Sequence, residues 1–321
     1  MYAGFYCKAV HRKHPENTLK HRLRSPLLFR IVILLVFVRI YCVCLTAGLP
    51  LCWSLLPNKT TATYTELFQA IRTALINTLG SIGRMKTVMA DFELAAIKAV
   101  KEVFPEVTVK GCSFHFRQAL MRRIQHEGLQ QDYSESTEFP DIRQWLRRIM
   151  ALTLLPAFAI PLAWNYLEQP PTQQKPVDEK TRAFAAYFND TWIVGQLPPE
   201  MWSHFNNVGP RTTNLAEEYH NGLNSRFGMP HPSLRSFLDW LQKNQYEVQC
   251  RGIQISAGRP TKSHNLVYKE LDFKIQSLKV SYSLDIGHIF ASVFPHVNAW
   301  KMFHYRTLRY LDAASYLVGA N

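Results

Sequence analysis

The 321-residue chain predicts an α/β protein with an all-helical block set into it. Two observations carry this. The first 115 residues alternate apolar runs of strand length with amphipathic helical patterns, the order that builds a sheet flanked by helices. From Phe116 to about Asn189 the periodicity is helical throughout. A third observation bears on partners: 37 Lys+Arg against 24 Asp+Glu give a formal net charge of +13. Such an excess favours a polyanion, nucleic acid first and an anionic membrane surface second. About half of it sits in the first 50 residues, which hold eight Lys/Arg and one Glu.

Residues 1–30 are basic, with His11-Arg12-Lys13-His14 and Lys20-His21-Arg22-Leu23-Arg24, and show little periodicity. They read as a disordered tail, a nucleic-acid arm or a targeting segment. Leu27–Ala47 is the most apolar stretch and is long enough for a membrane span. Arg30 and Arg39 fall inside it, each costing roughly 3 kcal/mol near a bilayer centre. Between them Ile31–Val38 is rich in Ile and Val and has strand length, so a buried strand pair is the preferred reading.

Leu49–Leu56 reads as a further strand, closed by Pro57-Asn58-Lys59. Thr63–Leu79 reads as a helix with Tyr64, Leu67, Phe68, Ile71, Leu75 and Leu79 on one face, broken at Gly80 to Gly83. Thr87–Ala90 is a short apolar run ending on Asp91. Phe92, Ala95, Ala96, Ala99, Val100 and Val103 then follow helical spacing until Pro105 stops the pattern. Val107–Val109 leads into Gly111-Cys112-Ser113-Phe114-His115. Asp91 thus stands at a strand tip, where a metal or phosphate could be met. It could equally N-cap the helix it precedes.

In the helical block, Phe116–His126 carries Arg117, Arg122 and Arg123. Ile142, Trp145, Leu146, Ile149 and Met150 form an apolar stripe, with Arg143, Arg147 and Arg148 on the other face. Leu155–Leu167 and Val177–Phe188 read as helices, split by the linker Gln169 to Gln174. Asn214 is a good N-cap with Glu217 three residues on, as in a capping box, and His220 shares the face of Glu217. Ser233–Glu247 is another helix, and Leu271, Ile275 and Leu278 mark one more. After about Ser283 no clear pattern remains.

The six cysteines, at 7, 42, 44, 52, 112 and 250, form no regular framework and no C-x-x-C pair. This argues against a disulfide-stapled secreted domain, fits a reducing compartment better, and excludes a zinc ribbon. Cys112-x-x-His115 offers two metal ligands, fewer than zinc needs; a buried Cys beside a hydrogen-bonded His is the alternative. Asp91 and Glu217, on distant elements, are the pair suited to two-metal phosphoryl chemistry, in which converging carboxylates hold hard cations.

Together these motifs resemble the Mutator-like (MULE) transposase domain. The matching pieces come in order: Leu49-Pro50-Leu51, Leu55 to Lys59 and Tyr64; Asp91-Phe92-Glu93, Ala96 and Phe104-Pro105; Gly111 to Phe116 and Gln118. Arg211-Thr212-Thr213-Asn214, Glu217 and His220-Asn221 follow, then His231 to Leu234. The resemblance runs from about residue 35 to 280. It implies an RNase H-like (DDE transposase) core with a helical insertion, and DNA cleavage and strand transfer by an Asp-Asp-Glu triad holding two Mg²⁺ or Mn²⁺. Asp91 resembles the second acid, Glu217 the third, and Cys112 with His115 the family's C-x-x-H element.

The first acid is expected on the first strand of the sheet, yet no Asp precedes Asp91. The carboxylates upstream are Glu16 and Glu66, and the nearest substitutes, Glu93 and Glu218, each sit beside a triad member. The chain is therefore expected to be catalytically impaired, taking Mg²⁺ or Mn²⁺ only if active. The division expected is a basic segment (1–30), the first part of the core (31–115), the helical insertion (116–205), the rest of the core with the third acid (206–282) and an unassigned end (283–321). The expected setting is the nucleus, with DNA as partner and no small-molecule substrate. Arg122, Arg123, Arg143, Arg147 and Arg148 would contact phosphates, and homo-oligomerisation stays open. The alternatives are a non-enzymatic nuclear interaction protein and, less favoured, a membrane anchor through 27–47.

Overall fold

A computed structural model describes residues 3–10, 36–44, 47–82, 85–134, 140–171, 177–207, 211, 234–259, 266–293 and 297–318. The chain divides into two compact units, Met1–Val109 with Thr213–Thr261 and Lys110–Thr212 with Lys262–Asn321.

The first unit is built on a mixed sheet. Its strands are β1 (Ala3–Val10), β2 (Val36–Cys44), β3 (Ala47–Leu56), β4 (Met85–Ala90) and β5 (Thr108–Gly111), in spatial order β3-β2-β1-β4-β5. β1 pairs antiparallel with β2 and parallel with β4, and β2 pairs antiparallel with β3. The β2–β3 register shifts between Ile40, opposite Cys52, and Tyr41, opposite Pro50. Pro50 has no N–H for a ladder, so its place is an edge strand beside an irregularity, and β3 is that edge.

One expectation changes here, and another holds over the described part of its window. Residues 3–10 are a strand rather than part of a disordered tail; residues 11–35 lie outside the described residues. Residues 36–44 of the apolar window are strand β2, paired on both sides. Among the described residues no helix is long and apolar enough to cross a membrane.

Helix α1 (Thr61–Leu79) links β3 to β4. It starts where Asn58 and Thr60 close a cap. Thr60 Oγ1 accepts from the Thr63 amide at 3.3 Å, and Asn58 Oδ1 takes the Thr63 hydroxyl at 2.7 Å. It ends at Gly80, whose φ of 73° lets its N–H reach the Ile76 carbonyl at 2.8 Å. Of the predicted face only Tyr64 and Phe68 are fully buried, and Leu79 is exposed. Helix α2 (Leu94–Val103) connects β4 to β5 and buries Ala96, Ile97, Ala99, Val100 and Val103.

The second unit is helical: α3 (Ser113–His126), α4 (Gln130–Ser134), α5 (Pro140–Ala151), α6 (Ala159–Leu167), α7 (Val177–Phe188) and α8 (Pro199–Trp202). Pro156 delays α6 beyond the predicted Leu155 start. Phe116, Phe188, Trp192 and Trp202 form an aromatic core, with Phe116 centred 4.7 Å from Trp192 and 4.9 Å from Trp202. The predicted stripe Ile142, Trp145, Leu146, Ile149 and Met150 is buried throughout. Helix α9 (Leu234–Ser256) belongs instead to the first unit, where it touches β3, and runs nine residues past its predicted end.

Helices α10 (Leu266–Val293) and α11 (Val297–Val318) complete the second unit. The sequence placed the first in the core and left the second unassigned. Side-chain bonding explains the difference: Tyr310 donates to the Leu154 carbonyl, Gln144 to Asp312 and Ser315, and Arg148 pairs with Asp312.

Candidate active site and nucleic-acid interface

Asp91 follows directly on the last residue of β4 and is half-buried. The neighbouring parallel strand brings Cys7 opposite Ala90. The turn Asp91-Phe92-Glu93 then enters α2, whose N-cap position is Glu93, so the N-cap role expected of Asp91 falls two residues on. Glu93 does not cap with its side chain either. Its carboxylate turns to α1 instead, taking the Lys59 ammonium at 3.2 Å on Oε2 and the Tyr64 hydroxyl at 3.0 Å on Oε1. Tyr64 is fully buried and Glu93 mostly so.

This clamp ties the loop before α1 and the first turn of that helix to the turn carrying Asp91. Charge-assisted hydrogen bonds of this kind are each worth roughly 1.5–3 kcal/mol. Tyr64→Phe keeps the ring packed on Phe68 and removes the hydroxyl. It is expected to lower stability by about 1.5 kcal/mol, read as a lower urea midpoint at constant m. An unchanged midpoint would show that the bond carries no net stability. Sequence reasoning held Glu93 as a spare carboxylate. Only the joint presence of Lys59, Tyr64 and Glu93 in the family-like motifs hinted at a pairing.

Cys112 is fully buried at the N-cap position of α3 and accepts the Phe116 amide on its carbonyl at 3.0 Å. His115, one turn in, is half-buried with its ring edge-on to Phe114 at 5.5 Å. Among the described residues, no group of three or more His, Cys, Asp or Glu is gathered to hold a metal. Glu217, Glu218 and His220 lie outside the described residues.

The five arginines divide. Arg122 is exposed. Arg123 pairs with Glu127 at 2.6 Å and lies 4.7 Å over the Tyr187 ring. Arg147 lies 5.8 Å over Tyr133, Arg148 pairs with Asp312, and Arg143 is half-buried. A second basic group was not foreseen. Burial, then the Lys110 charge, pushes His204 down to about 3, against a bond from its Nε2 to the Gly111 carbonyl at 2.9 Å. Burial, then Arg211, pushes Lys279 down to about 8. No sequence signal marks a buried lysine in the middle of a long helix.

The mixed sheet and the helices between and after its strands define an α/β protein with a carboxylate at a strand tip. Residues 33–119, from just before β2 to the middle of α3, match the family model of the MULE transposase domain. The match supports a transposase-derived function and, with it, interaction with DNA. It contains Asp91, Cys112 and His115 and ends before the segment of Glu217. No curated protein and no solved structure matches the chain.

Proposed function

We propose that the chain is a MULE-type, transposase-derived nuclear DNA-binding protein with an RNase H-like core whose DNA-cleaving chemistry is impaired. The observation that carries this is the match over β2 to α3 with Asp91 at the tip of β4. The sheet order, three sequential antiparallel strands continued by β4 and β5, supports the RNase H-like reading. In it Asp91 is the second acid and Glu217 the third, and the Mg²⁺ or Mn²⁺ pair would need a bridging carboxylate from the strand beside β4.

That strand is β1, Ala-Gly-Phe-Tyr-Cys-Lys-Ala-Val, and it contains no carboxylate. Glu93, the nearest substitute, is committed to Lys59 and Tyr64. The residues present do not fit a two-metal centre. Binding would rest on arginines, Arg122 foremost because it is exposed, with Arg123, Arg143, Arg147 and Arg148 beside it.

The test pairs two measurements on the wild type and Asp91→Ala. Duplex DNA is expected to bind both equally, with an affinity that falls steeply with salt. Plasmid nicking in Mg²⁺ or Mn²⁺ is expected at background in both. Nicking abolished by Asp91→Ala would overturn the impairment. Nicking that survives the substitution would remove the role given to Asp91, and salt-independent binding would remove the phosphate contacts.

A further inference from the structure

Among the described residues of the second unit, positive charge gathers around residues 200–207 and Arg211. Lys110, at the end of β5, donates from Nζ to the carbonyls of Glu200 at 2.7 Å and Ser203 at 2.9 Å. Lys279, on α10 and 4% exposed, donates to the His204 carbonyl at 2.7 Å. The Arg211 carbonyl accepts the Ser113 amide at 2.9 Å, which seats Arg211 at the first turn of α3, one turn from Arg117. Arg211 is close enough for its charge to be felt at Arg117, His204 and Lys279.

Among the described residues, two carboxylates stand against these four cations. Asp272 pairs with Arg211 but is itself 64% exposed, and Glu200 acts on Lys110 through its charge alone. The carbonyls that hold the lysines are neutral dipoles, and they anchor the ammonium groups without balancing them. Arg117 donates from Nη1 to the Val318 carbonyl at 3.2 Å, while its buried Nε has no hydrogen-bond partner among the described residues. Taking cations out of water costs several kcal/mol unless an anion accompanies them. Burial accordingly depresses Lys110, Arg117 and Lys279 alike.

We propose that Arg117, Arg211, Lys110 and Lys279 form a binding site for a phosphate-class oxyanion. Guanidinium forks and ammonium groups together match an anion with several oxygens and more than one charge, where a carboxylate would occupy one fork. The oxyanion is either free phosphate or a phosphodiester of a nucleic-acid backbone. The site needs only the second unit and does not rest on the transposase reading.

The experiment titrates inorganic phosphate into the full chain at constant ionic strength, by calorimetry, against chloride. Saturable binding is expected for the wild type and for Lys98→Gln, an exposed lysine of α2 away from the cluster. Arg117→Gln and Arg211→Gln are each expected to weaken it at least about tenfold. Circular dichroism of both variants checks that they are folded. Should either fail to fold, competition by sulfate against phosphate in the wild type supplies the reading, because a tetrahedral oxyanion must displace it and acetate must not. Phosphate heats no greater than those of chloride, or equal affinity in folded variants, would overturn the site. A second arm adds phosphate to the complex with a short DNA duplex. Displacement of DNA in the wild type, with weaker DNA binding in both variants, assigns the site to backbone phosphodiesters. Phosphate binding with DNA affinity untouched assigns it to free phosphate. DNA binding that persists while phosphate binding fails leaves the transposase-derived reading standing.

Discussion

Trp202→Ala is expected to lower the stability of the helical unit by about 3–5 kcal/mol. The ring is fully buried, stacked at 4.9 Å on Phe116, and set edge-on to Phe188 at 6.2 Å and Trp192 at 6.4 Å. Its Nε1 donates to the carbonyls of Trp192 at 3.2 Å and Leu197 at 3.1 Å. Truncation therefore opens a large cavity and strands two carbonyls. Trp202→Phe refills most of the volume without the donor and should cost less. Urea unfolding followed by near-ultraviolet circular dichroism reads both. A loss under about 1 kcal/mol for the alanine variant would show that these rings are not the core of the unit.

Acid should unfold the protein through His204. Burial and the Lys110 charge hold its imidazole neutral in the folded state until the pH reaches about 3, whereas the unfolded chain takes the proton near 6.5. Between those values the unfolded state binds more protons, so stability falls as pH drops. The slope from this one group is about 1.4 kcal/mol per pH unit, and its full contribution is present above 6.5. Carboxylates titrate in the lower part of the same range. The informative quantity is thus the difference between wild type and His204→Gln, whose amide can still donate to Gly111 but cannot charge. The variant should lose its stability more gently from pH 6 downwards. Identical slopes would mean that the ring is hydrated or already protonated at neutral pH.

What could be read beforehand was local. The strand–carboxylate–helix–strand order around Asp91, the extent of α1, and the buried stripe of α5 all follow from periodicity within one element. β1 escaped because eight residues of mixed composition in a basic segment show no period, and their partner in the sheet, β4, lies some eighty residues on. The continuation of helix α10 past Ser283 escaped for the opposite reason: the helix buries Ile275, Tyr282 and Ile286 while exposing Phe273, Val280 and Leu284, so no polar face carries its pattern onward. The arginines of α5 were legible as a face, but Asp312, which binds Arg148, is 164 residues away. At the site, Asp91 stood out by its position. The clamp on Glu93 and the cations around His204 depend on contacts that no spacing rule connects.

The division of the chain has a kinetic consequence. Each unit is assembled from two separated stretches, since the helical unit takes Lys110–Thr212 and then Lys262–Asn321. On the ribosome, where segments emerge at roughly 5–20 residues per second, β5 is complete long before the last strand-side helix of its unit exists. α5 must likewise wait for α11 before Arg148 meets Asp312 and Tyr310 meets Leu154. Folding of the first unit is therefore deferred until α9 has emerged, and that of the second until α11 has. An apolar edge such as β3 spends that interval exposed, with Pro50 as its built-in brake on pairing with another chain.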